Sequence, residues 1–506
     1  MVTSSRLSPL ESLSLRNRKL TGLLDVAKAM MSERTIDPLL DIILEESKKT
    51  VDAQRCTLFL MTRDGKDLWS KIAQGLQGVK VIRLPVGQGI AGLVAQTGEP
   101  LNIPDAYLDP RFNRAVDIAT GYRTESILCV PMMGRDRHVV GVVQALNHEG
   151  GPFGSEDQEL LLALGAIAAA AIENAGLYED IERLFEGFVT ASVSAIEARD
   201  PTTSGHSERV ALLSISCLEL LPRAGPQFAN IVVGPQEIRE LRYAALLHDF
   251  GKVGVREHVL AKADKLYPHQ LDLIRARFKE ARMNAELSFL RSRAGGMVPP
   301  SELKRFEDQW RAKDEELASM LAFIESANRP TVLDSSGFER LKGITAAALL
   351  LSEEETNLSI PRGSLNEKER KEIESHVVHT HNFLRQIPWT RELSRIPQIA
   401  GTHHEKMDGT GYPRGLKGDE IPVEARIMTI ADIYDALTAA DRPYKAALPH
   451  GKAIEILESE AKRNKIDRAL LTLFIDADVP GRARELRKAD ALTEQMALPR
   501  LPSASR

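Results

Sequence analysis

Imidazole and carboxylate side chains are concentrated in a few short stretches of this 506-residue chain. The densest is His403-His404-Glu405, which runs into the glycine-rich stretch Asp408–Pro413. Far upstream lies His248-Asp249, downstream lies Asp432 in an apolar helical pattern, and His206 stands near the start of an amphipathic one. Mixed nitrogen and oxygen ligands suit iron, manganese or zinc. The pattern predicts one metal site, although His248-Asp249 alone would equally suit a buried histidine at a helix end.

Neighbouring residues suggest how such a site would act. His248 and Asp249 offer one neutral nitrogen and one carboxylate whose two oxygens can bridge two metal ions. Lys252 follows four residues after His248, so on a continuous helix it would point toward the same site. We expect Lys252 to stabilise a phosphate or to assist proton transfer. Asp435 lies about one turn after Asp432, where it would orient a ligand histidine.

The elements that position these residues are predicted to be helical, because residues from about 185 to 480 follow helical patterns. The length predicts two or three domains, and 43% apolar with 27% charged residues is a globular composition. A net charge of −5 argues against a nucleic-acid-binding protein. The scattered cysteines, Cys56, Cys129 and Cys217, exclude a disulfide framework and are expected as buried small hydrophobes in a reducing cytoplasm.

The first part of the chain differs in pattern. Residues 1–35 are predicted as an N-terminal helix without a signal peptide. Residues 36–175 combine a helix, Ile36–Val51, with strand-like runs separated by turn signals, which indicates an α+β sensor domain that could enclose a small ligand. The predicted strands are Cys56–Met61, Leu68–Ile72, Val79–Leu84, Ser126–Pro131 and Val139–Leu146.

A long helix is predicted to connect the two parts over residues 156–199, since Ser155–Arg199 contains no proline. Apolar residues at alternating four- and three-residue spacing favour a parallel coiled-coil homodimer. The apolar run Leu160–Ile172 is too short to span a bilayer, so we expect a cytoplasmic protein. Residues 481–506 are expected to be a flexible tail. The predicted seam consists of Leu160, Leu164, Ile167, Ala171, Tyr178, Ile181, Phe185 and Phe188.

The sensor region resembles a GAF domain. The matching stretches are Val86–Gly92, Asn102–Tyr107, Asp109–Phe112 and Tyr122–Leu128. Some cyclic-nucleotide-binding GAF domains carry an Asn-Lys…Phe…Asp-Glu pattern. Here His148 replaces the lysine and Gln158 the glutamate, although Asn147, Phe153 and Asp157 match. Cyclic-nucleotide binding is therefore in doubt, and a GAF domain used only for dimerisation or signal relay stays open.

The helical region, residues 185–480, resembles the HD-GYP family of phosphodiesterases. The motifs occur in the family's order: His248–Lys252, His403–Glu405, Asp408–Pro413, Ala431–Leu437 and Asp441–Tyr444. The resemblance implies hydrolysis of cyclic di-GMP to linear pGpG or GMP at a two- or three-metal centre that commonly holds iron or manganese. The implied ligands are His206, His248, Asp249, His376, His403, His404 and Asp432, with Asp249 bridging.

One ligand of that family is displaced in this chain. Where the family places a histidine soon after the HD motif, this chain has Arg277. The surrounding pattern recurs around His376 at a constant offset, with Leu266 matching Leu365 and Ile274 matching Ile373. This recurrence predicts a helical insertion over about 267–364 and assigns His376 as the ligand. Within the insertion, helical stretches are predicted at Leu271–Arg291, Pro300–Ala327 and Leu341–Leu351, and a hinge or turn is predicted at Gly295–Pro300. The neighbours His379 and His381 fall off that alignment and are expected at the surface.

Metal number and substrate contacts also follow from the resemblance. Thr202 stands where three-metal members carry a glutamate, so two divalent ions are predicted. Arg442 and Lys445 would contact the phosphate or guanine of the substrate. A GAF-regulated phosphodiesterase is the leading hypothesis; the alternatives are a catalytically weak cyclic-dinucleotide sensor that signals through protein partners, and an HD hydrolase of another nucleotide. The loop residues Gly411, Tyr412 and Pro413 are assigned to the substrate side and to contacts with GGDEF-domain partners.

Overall fold

The computed structural model describes residue 22 and residues 24–70, 82–199, 205–294, 299–330, 332–439 and 447–496. The chain forms two compact units, with the boundary between Gly187 and Phe188. The first unit combines a sheet with helices, and the second is helical in its described residues. This α+β unit followed by a helical unit confirms the predicted fold class.

A six-stranded antiparallel sheet in the order β3-β2-β1-β6-β5-β4 organises the first unit. Alternate residues of the central strand serve two apolar cores, because successive side chains of a strand point to opposite faces. Cys56, Leu58 and Leu60 enter one core cluster, whereas Phe59 enters the other. The strands are β1 (Ala53–Met61), β2 (Asp67–Ser70), β3 (Ile82–Pro85), β4 (Leu101–Ile103), β5 (Ile127–Met133) and β6 (Val139–His148).

Helices cover both faces of this sheet. On one face, α1 (Ile36–Thr50) and the first part of α4 (Ser155–Arg199) contribute Leu39, Ile43, Leu161 and Leu164 to a shared core. On the other face, α2 (Gly89–Thr97) packs through Ile90 and Val94. A short helix, α3 (Arg114–Thr120), precedes β5, and residues 24–32 are also helical. The free cysteines Cys56 and Cys129 are buried in these cores, and Cys217 is buried in the second unit, as expected.

The strand predictions succeeded where runs are long. Four of the predicted runs overlap β1, β2, β5 and β6, and the fifth overlaps β3 in its described residues. The three-residue edge strand β4 was missed because so short a run carries too little alternation to recognise. Residues 1–21 of the predicted N-terminal helix, residues 71–81 and residues 497–506 of the predicted tail lie outside the described residues. Residues 481–496 of the predicted flexible tail are helical instead, so the tail prediction was wrong for this stretch.

The long helix α4 requires a correction of the predicted dimer seam. Leu164 and Ala171 are buried in the core of their own unit, so they are not available to a second copy. Exposed apolar side chains begin only afterwards, at Leu177, Ile181 and Leu184. By length and composition α4 is also apolar enough to cross a membrane, and 44% of its most apolar 18-residue window is buried inside the structure. The apolar first half of this helix packs on the sheet.

The second unit carries the chemistry-bearing residues on helix ends and connections. Its helices before the insertion are α5 (His206–Leu218), α6 (Pro235–Leu247) and α7 (Glu257–Leu260). Those after it are α12 (Glu367–Glu374), α13 (His376–Leu384), α14 (Ile396–Ala400), α15 (Val423–Thr438), α16 (His450–Lys462), α17 (Arg468–Asp476) and α18 (Val479–Met496).

The stretch predicted as an insertion has its own apolar cluster. It contains α8 (Pro268–Ala294), α9 (Pro300–Asn328), α10 (Ser335–Ala346) and α11 (Ser352–Leu358). Phe278 of α8, Ile324 of α9 and Leu341 of α10 are fully buried together. The third predicted helix, Leu341–Leu351, was wrong in extent, since α10 ends at Ala346 and Leu351 caps the next helix. Residues 295–298 of the predicted hinge lie outside the described residues.

Candidate metal centre

Helix ends bring the predicted ligands together in the second unit. His206 is the first residue of α5, His248-Asp249 directly follows α6, and His376 begins α13. His403-His404 follows α14, and Asp432 lies within α15. These residues form two groups of possible metal ligands. Within each group the ligand atoms lie within 4.8 Å of one another. One group is His206, His248 and Asp249, and the other is His376, His403 and His404.

Asp249 links the two groups through different oxygens. Its Oδ1 lies 3.4 Å from His376 Nε2 of one group. Its Oδ2 lies 3.5 Å from His248 Nε2 and 3.9 Å from His206 Nε2 of the other. Asp249 is buried, so this carboxylate is held rather than mobile in solvent. A carboxylate with one oxygen toward each group has the geometry that bridging two cations requires.

Three of the histidines are oriented by the same local contact. In each ring Nδ1 meets the backbone carbonyl three residues earlier: His248 with Ala245 at 2.6 Å, His376 with Ile373 and His403 with Ala400 at 2.7 Å. A carbonyl can only accept, so Nδ1 carries the hydrogen and Nε2 presents its lone pair to the centre. Since this contact is local, the end of each helix sets the tautomer of its own histidine.

His206 is oriented by a carboxylate instead. Its Nδ1 lies 2.8 Å from Asp435 Oδ2, and its Nε2 lies 3.3 Å from Asp432 Oδ1. Arg209, one turn further along α5, donates to both oxygens of Asp435, with Nε 2.7 Å from Oδ1. Asp435 therefore occupies the position expected of a residue that orients a ligand histidine, and the histidine is His206.

Burial and the surrounding charges set the protonation of these groups. Burial lowers the pKa of His376 and His403, and brings that of His404 to about 4, so all three rings are neutral near pH 7. Burial also opposes the charge of His206, but hydrogen bonds with Asp432 and Asp435 raise its pKa to about 9.

The carboxylates stay ionised despite being buried. Burial disfavours the charge of Asp249, but Lys252 and three imidazoles hold its pKa well below the usual range. The hydrogen bond with His206 likewise lowers the pKa of Asp432 against the effect of burial. Near neutral pH the metal-free centre thus offers anionic oxygens and the neutral nitrogens of His376, His403 and His404, while His206 carries a proton.

The HD segment, residues 248–255, is held close to α13. Thr380 Oγ donates to His248 O at 2.9 Å and accepts from the Gly251 N–H at 2.8 Å. A Cβ on Gly251 would lie 1.9 Å from His376 O, so only glycine permits this approach. These contacts fix the distance between the two segments that supply Asp249 and His376. Thr380 was missed by the sequence reasoning because its partners lie far away in the chain.

Lys252 reaches the centre by a different route from the predicted one. The α-helix ends at Leu247, and Phe250–Gly254 continues as a 3-10 helix, so His248 and Lys252 do not share an α-helical face. Lys252 Nζ nevertheless lies 2.9 Å from Asp249 Oδ2. Its side chain is 16% exposed and that of Asp432 is 15% exposed, compared with 1% for His248. The centre therefore opens to solvent on the side of Lys252 and Asp432.

The glycine-rich loop lies beside the histidine pair. Tyr412 packs on His404 with ring centroids 4.9 Å apart, and a Cβ on Gly411 would lie 2.4 Å from Lys406 N. Glu405 is buried and accepts from the N–H groups of Arg414 at 2.7 Å and Leu416 at 3.0 Å. Glu405 thus holds the loop, a role that its place in the motif did not reveal. The Tyr412–Pro413 peptide bond is cis, and Pro413 is exposed.

Several other predicted residues lie elsewhere. Arg277, the residue that was set aside in favour of His376, pairs with Glu354 within the inserted stretch. His379 is exposed as expected, whereas His381 is half-buried between Pro397 O at 2.9 Å and Arg414 at 3.2 Å, so its surface placement was wrong. The predicted substrate residues Arg442 and Lys445, and the position Thr202, lie outside the described residues.

The residues present fit a divalent metal. Nε2 of His376 and Nε2 of His403 are buried and make no hydrogen bond within the described part of the chain. Leaving such polar atoms unpaired costs free energy, about 1–3 kcal/mol each. Both belong to the group that also contains His404, and a cation bound there would satisfy them.

Comparison with known proteins identifies two domains. Residues 35–172 match the GAF domain family, and residues 343–470 match the HD domain family. The HD match includes His376, His403, His404 and Asp432, and begins after the HD segment. The chain therefore contains a GAF domain followed by an HD-type domain, a domain type that binds divalent metals.

Individual relatives cover only parts of the chain. Over 181 residues it is 36% identical to the probable 3',5'-cyclic phosphodiesterase pde-5 of Caenorhabditis elegans, covering 33% of this chain and 25% of that protein. The chain thus spans about a quarter of this relative. Among solved structures, the GAF domain of a phosphoenolpyruvate-protein phosphotransferase from Coxiella burnetii is 22% identical, with TM-score 0.30, covering 32% of this chain and 96% of that one. The corresponding Acinetobacter domain is 25% identical with TM-score 0.28, covering 32% and 96%.

Proposed function

We propose that this chain is a metal-dependent phosphodiesterase that hydrolyses cyclic di-GMP to pGpG or GMP. The observation that carries the proposal is the position of Asp249, which has one oxygen toward each group of histidines. Seven side chains would hold two divalent ions, with iron or manganese as the expected metals: His206, His248, Asp249, His376, His403, His404 and Asp432.

Besides holding the metal ions, side chains of the centre are proposed to neutralise charge and to transfer a proton during hydrolysis. A phosphodiester is anionic, and divalent ions held here would supply the Lewis acid that offsets this charge and activates water. Asp249 and Asp432 stay ionised, and the neutral histidines keep their Nε2 lone pairs available as ligands. Lys252 stands at the solvent-facing side, where its ammonium contacts a phosphate oxygen or gives a proton to the leaving oxygen. Tyr412, whose ring packs on His404, is proposed to contact the substrate.

The choice of cyclic di-GMP rests on the motifs rather than on the geometry. Five motifs in the HD-GYP order, including Asp408–Pro413, favour the cyclic dinucleotide. The partial similarity to a 3',5'-cyclic phosphodiesterase supports a second candidate, hydrolysis of a 3',5'-cyclic mononucleotide. Both reactions need the same centre, so substrate trials are required to separate them.

Product analysis tests these proposals. The full chain, loaded anaerobically with Mn(II) or Fe(II), is incubated separately with cyclic di-GMP, pGpG, 3',5'-cyclic GMP and 3',5'-cyclic AMP, and products are separated by chromatography. We expect pGpG or GMP from cyclic di-GMP, and no product with Asp249→Asn. Product from cyclic mononucleotides alone would support the second candidate. Metal-loaded protein that binds cyclic di-GMP without product would be a sensor instead.

We further propose that the GAF domain regulates the HD domain in a cytoplasmic homodimer. Its support is the stripe Leu177, Ile181, Leu184 and Phe188, which follows coiled-coil spacing on α4 and is exposed. Leu184 is 76% exposed within this stripe, and a contiguous exposed apolar stripe is typical of an interaction surface. A small ligand in the GAF domain and a GGDEF-domain partner at the loop of Tyr412 complete the proposed regulation.

A further inference from the structure

The last residue of α4 contacts the HD segment. Arg199 Nη1 donates to Val253 O at 2.8 Å, and Nη2 donates to Val255 O at 2.9 Å. These carbonyls lie at the end of the 3-10 helix Phe250–Gly254. The last carbonyls of a helix lack partners within the helix, and hydrogen bonds from a charged donor are stronger than neutral ones. One guanidinium thus holds two points of the backbone just beyond Lys252.

On its other side the HD segment is held by α13. Gly251 lies against the backbone of His376, and Thr380 bonds both His248 O and Gly251 N. Lys252 lies between these two attachments, and its N–H donates to Asp249 O at 2.9 Å. The side chain that faces the centre is therefore placed by a short stretch of backbone fixed at both ends.

The helix that ends in Arg199 begins within the first unit. Leu161, Leu164 and Ala168 of α4 are fully buried in the core of the first unit. The helix runs without interruption from Ser155 to Arg199. A helix is stiff along its axis, so a shift or rotation of α4 carries the guanidinium of Arg199 with it.

We propose that Arg199 is a positioning residue that couples α4 to Lys252 and thereby sets turnover. The inference deepens the proposed function, because it rests on the role given there to Lys252. Arg199 acts through backbone carbonyls rather than through substrate or metal. Movement of the connecting helix would change the position of Lys252 while leaving the histidine and aspartate ligands in place.

Hydrogen exchange of the full chain tests the contact without using activity. The variant Arg199→Met keeps the apolar length and removes both donors, so amides of residues 250–255 should exchange faster. The matched control is Arg183→Met on the same helix, whose side chain pairs with Asp180 and which should leave these amides unchanged. Unchanged exchange in Arg199→Met would overturn the proposal. This comparison decides about Arg199 even if the protein hydrolyses none of the nucleotides tried.

Kinetics then test whether Arg199 acts through Lys252. Arg199→Met should lower kcat about ten- to a hundredfold, with KM and metal content nearly unchanged, since misplacing a catalytic group by about 1 Å has effects of this size. Arg199→Lys, which retains one cationic donor, should recover part of the loss. In a Lys252→Met background, Arg199→Met should cause no further loss. An equal loss in both backgrounds, or loss of bound metal, would contradict the proposed route.

Discussion

Gly251→Ala should disable the centre by separating two ligand-bearing segments. A Cβ at this position would lie 1.9 Å from His376 O and 2.5 Å from Thr380 N. Such atoms essentially never approach within 3.0 Å, so the HD segment must move by about 1 Å. Both obstructing atoms belong to the backbone of α13, and no side-chain rotation relieves the contact. Because Asp249 lies on one segment and His376 on the other, the movement opens the bridge between the two groups.

The size of the effect follows from that displacement. Overpacking of this kind lowers the free energy of unfolding by about 1–3 kcal/mol. A misplacement of about 1 Å at a catalytic centre lowers turnover about a hundredfold. Both changes should appear together in Gly251→Ala, with bound metal reduced below the wild-type content. Turnover, metal per chain and thermal unfolding are the measurements.

Two other glycines provide graded controls. In Gly254→Ala the new Cβ meets the ring of exposed His379 at 2.9 Å, and that ring can rotate away, so turnover should change little. In Gly343→Ala, within α10, nothing lies within 4 Å, and stability should rise by about 0.5–1 kcal/mol with unchanged turnover. Wild-type turnover and metal content in Gly251→Ala would refute the close approach and the reasoning built on it.

Three further perturbations probe other parts of the account. Thr380→Val should lower the free energy of unfolding by about 1–3 kcal/mol, because it removes two buried hydrogen bonds. The control Thr345→Val removes only a hydrogen bond within its own helix, so it should lower the free energy of unfolding by less. Equal losses in the two variants would contradict this prediction. Metal binding should release a proton from His206, because the pKa of this ring is about 9 without metal. The affinity for metal should therefore rise with pH up to about 9. Titration calorimetry in two buffers would reveal the released proton, and a metal affinity independent of pH would contradict the prediction. Leu184→Glu should convert the proposed dimer to monomer in light scattering, whereas a monomeric wild type would disprove the proposed dimer.

The pH dependence of stability has the same origin. The pKa of His206 is raised from 6.5 to about 9 in the folded, metal-free protein. Its contribution to stability is therefore fully present below about pH 6.5 and is lost as the pH rises through about 9. Bound metal, which needs the neutral ring, removes this dependence.

Adjacent residues were the part of the site that the sequence could predict. Chemically distinctive pairs such as His248-Asp249 and His403-His404 stand out without any knowledge of the fold, and the structure brings them together. His376 is separated from the HD segment by the inserted stretch, and the structure places it beside His403 and His404, as the recurring pattern predicted. A recurring sequence pattern of this kind indicates which helix carries a residue. The position of that helix end in the fold then determines whether the residue lies at the metal centre.

The supporting contacts could not be predicted in this way. Thr380, Glu405 and Arg199 act through backbone atoms of distant residues, and a backbone partner leaves no mark on the sequence. The break between α6 and the 3-10 helix also went unseen, since Asp249–Lys252 contains no proline to end the helix. Tertiary packing against α13 decides the backbone there. Local sequence propensity therefore predicts the helices and strands better than it predicts the tertiary contacts that fix their positions.

Anomalous diffraction from crystals of the Mn(II)-loaded full chain tests the central claim most directly. We predict two manganese peaks per chain: one among His376, His403 and His404, the other beside His206 and His248. Asp249 should lie between them with one oxygen toward each. A single peak, or peaks that Asp249 does not bridge, would contradict the dinuclear centre on which the proposed hydrolysis depends.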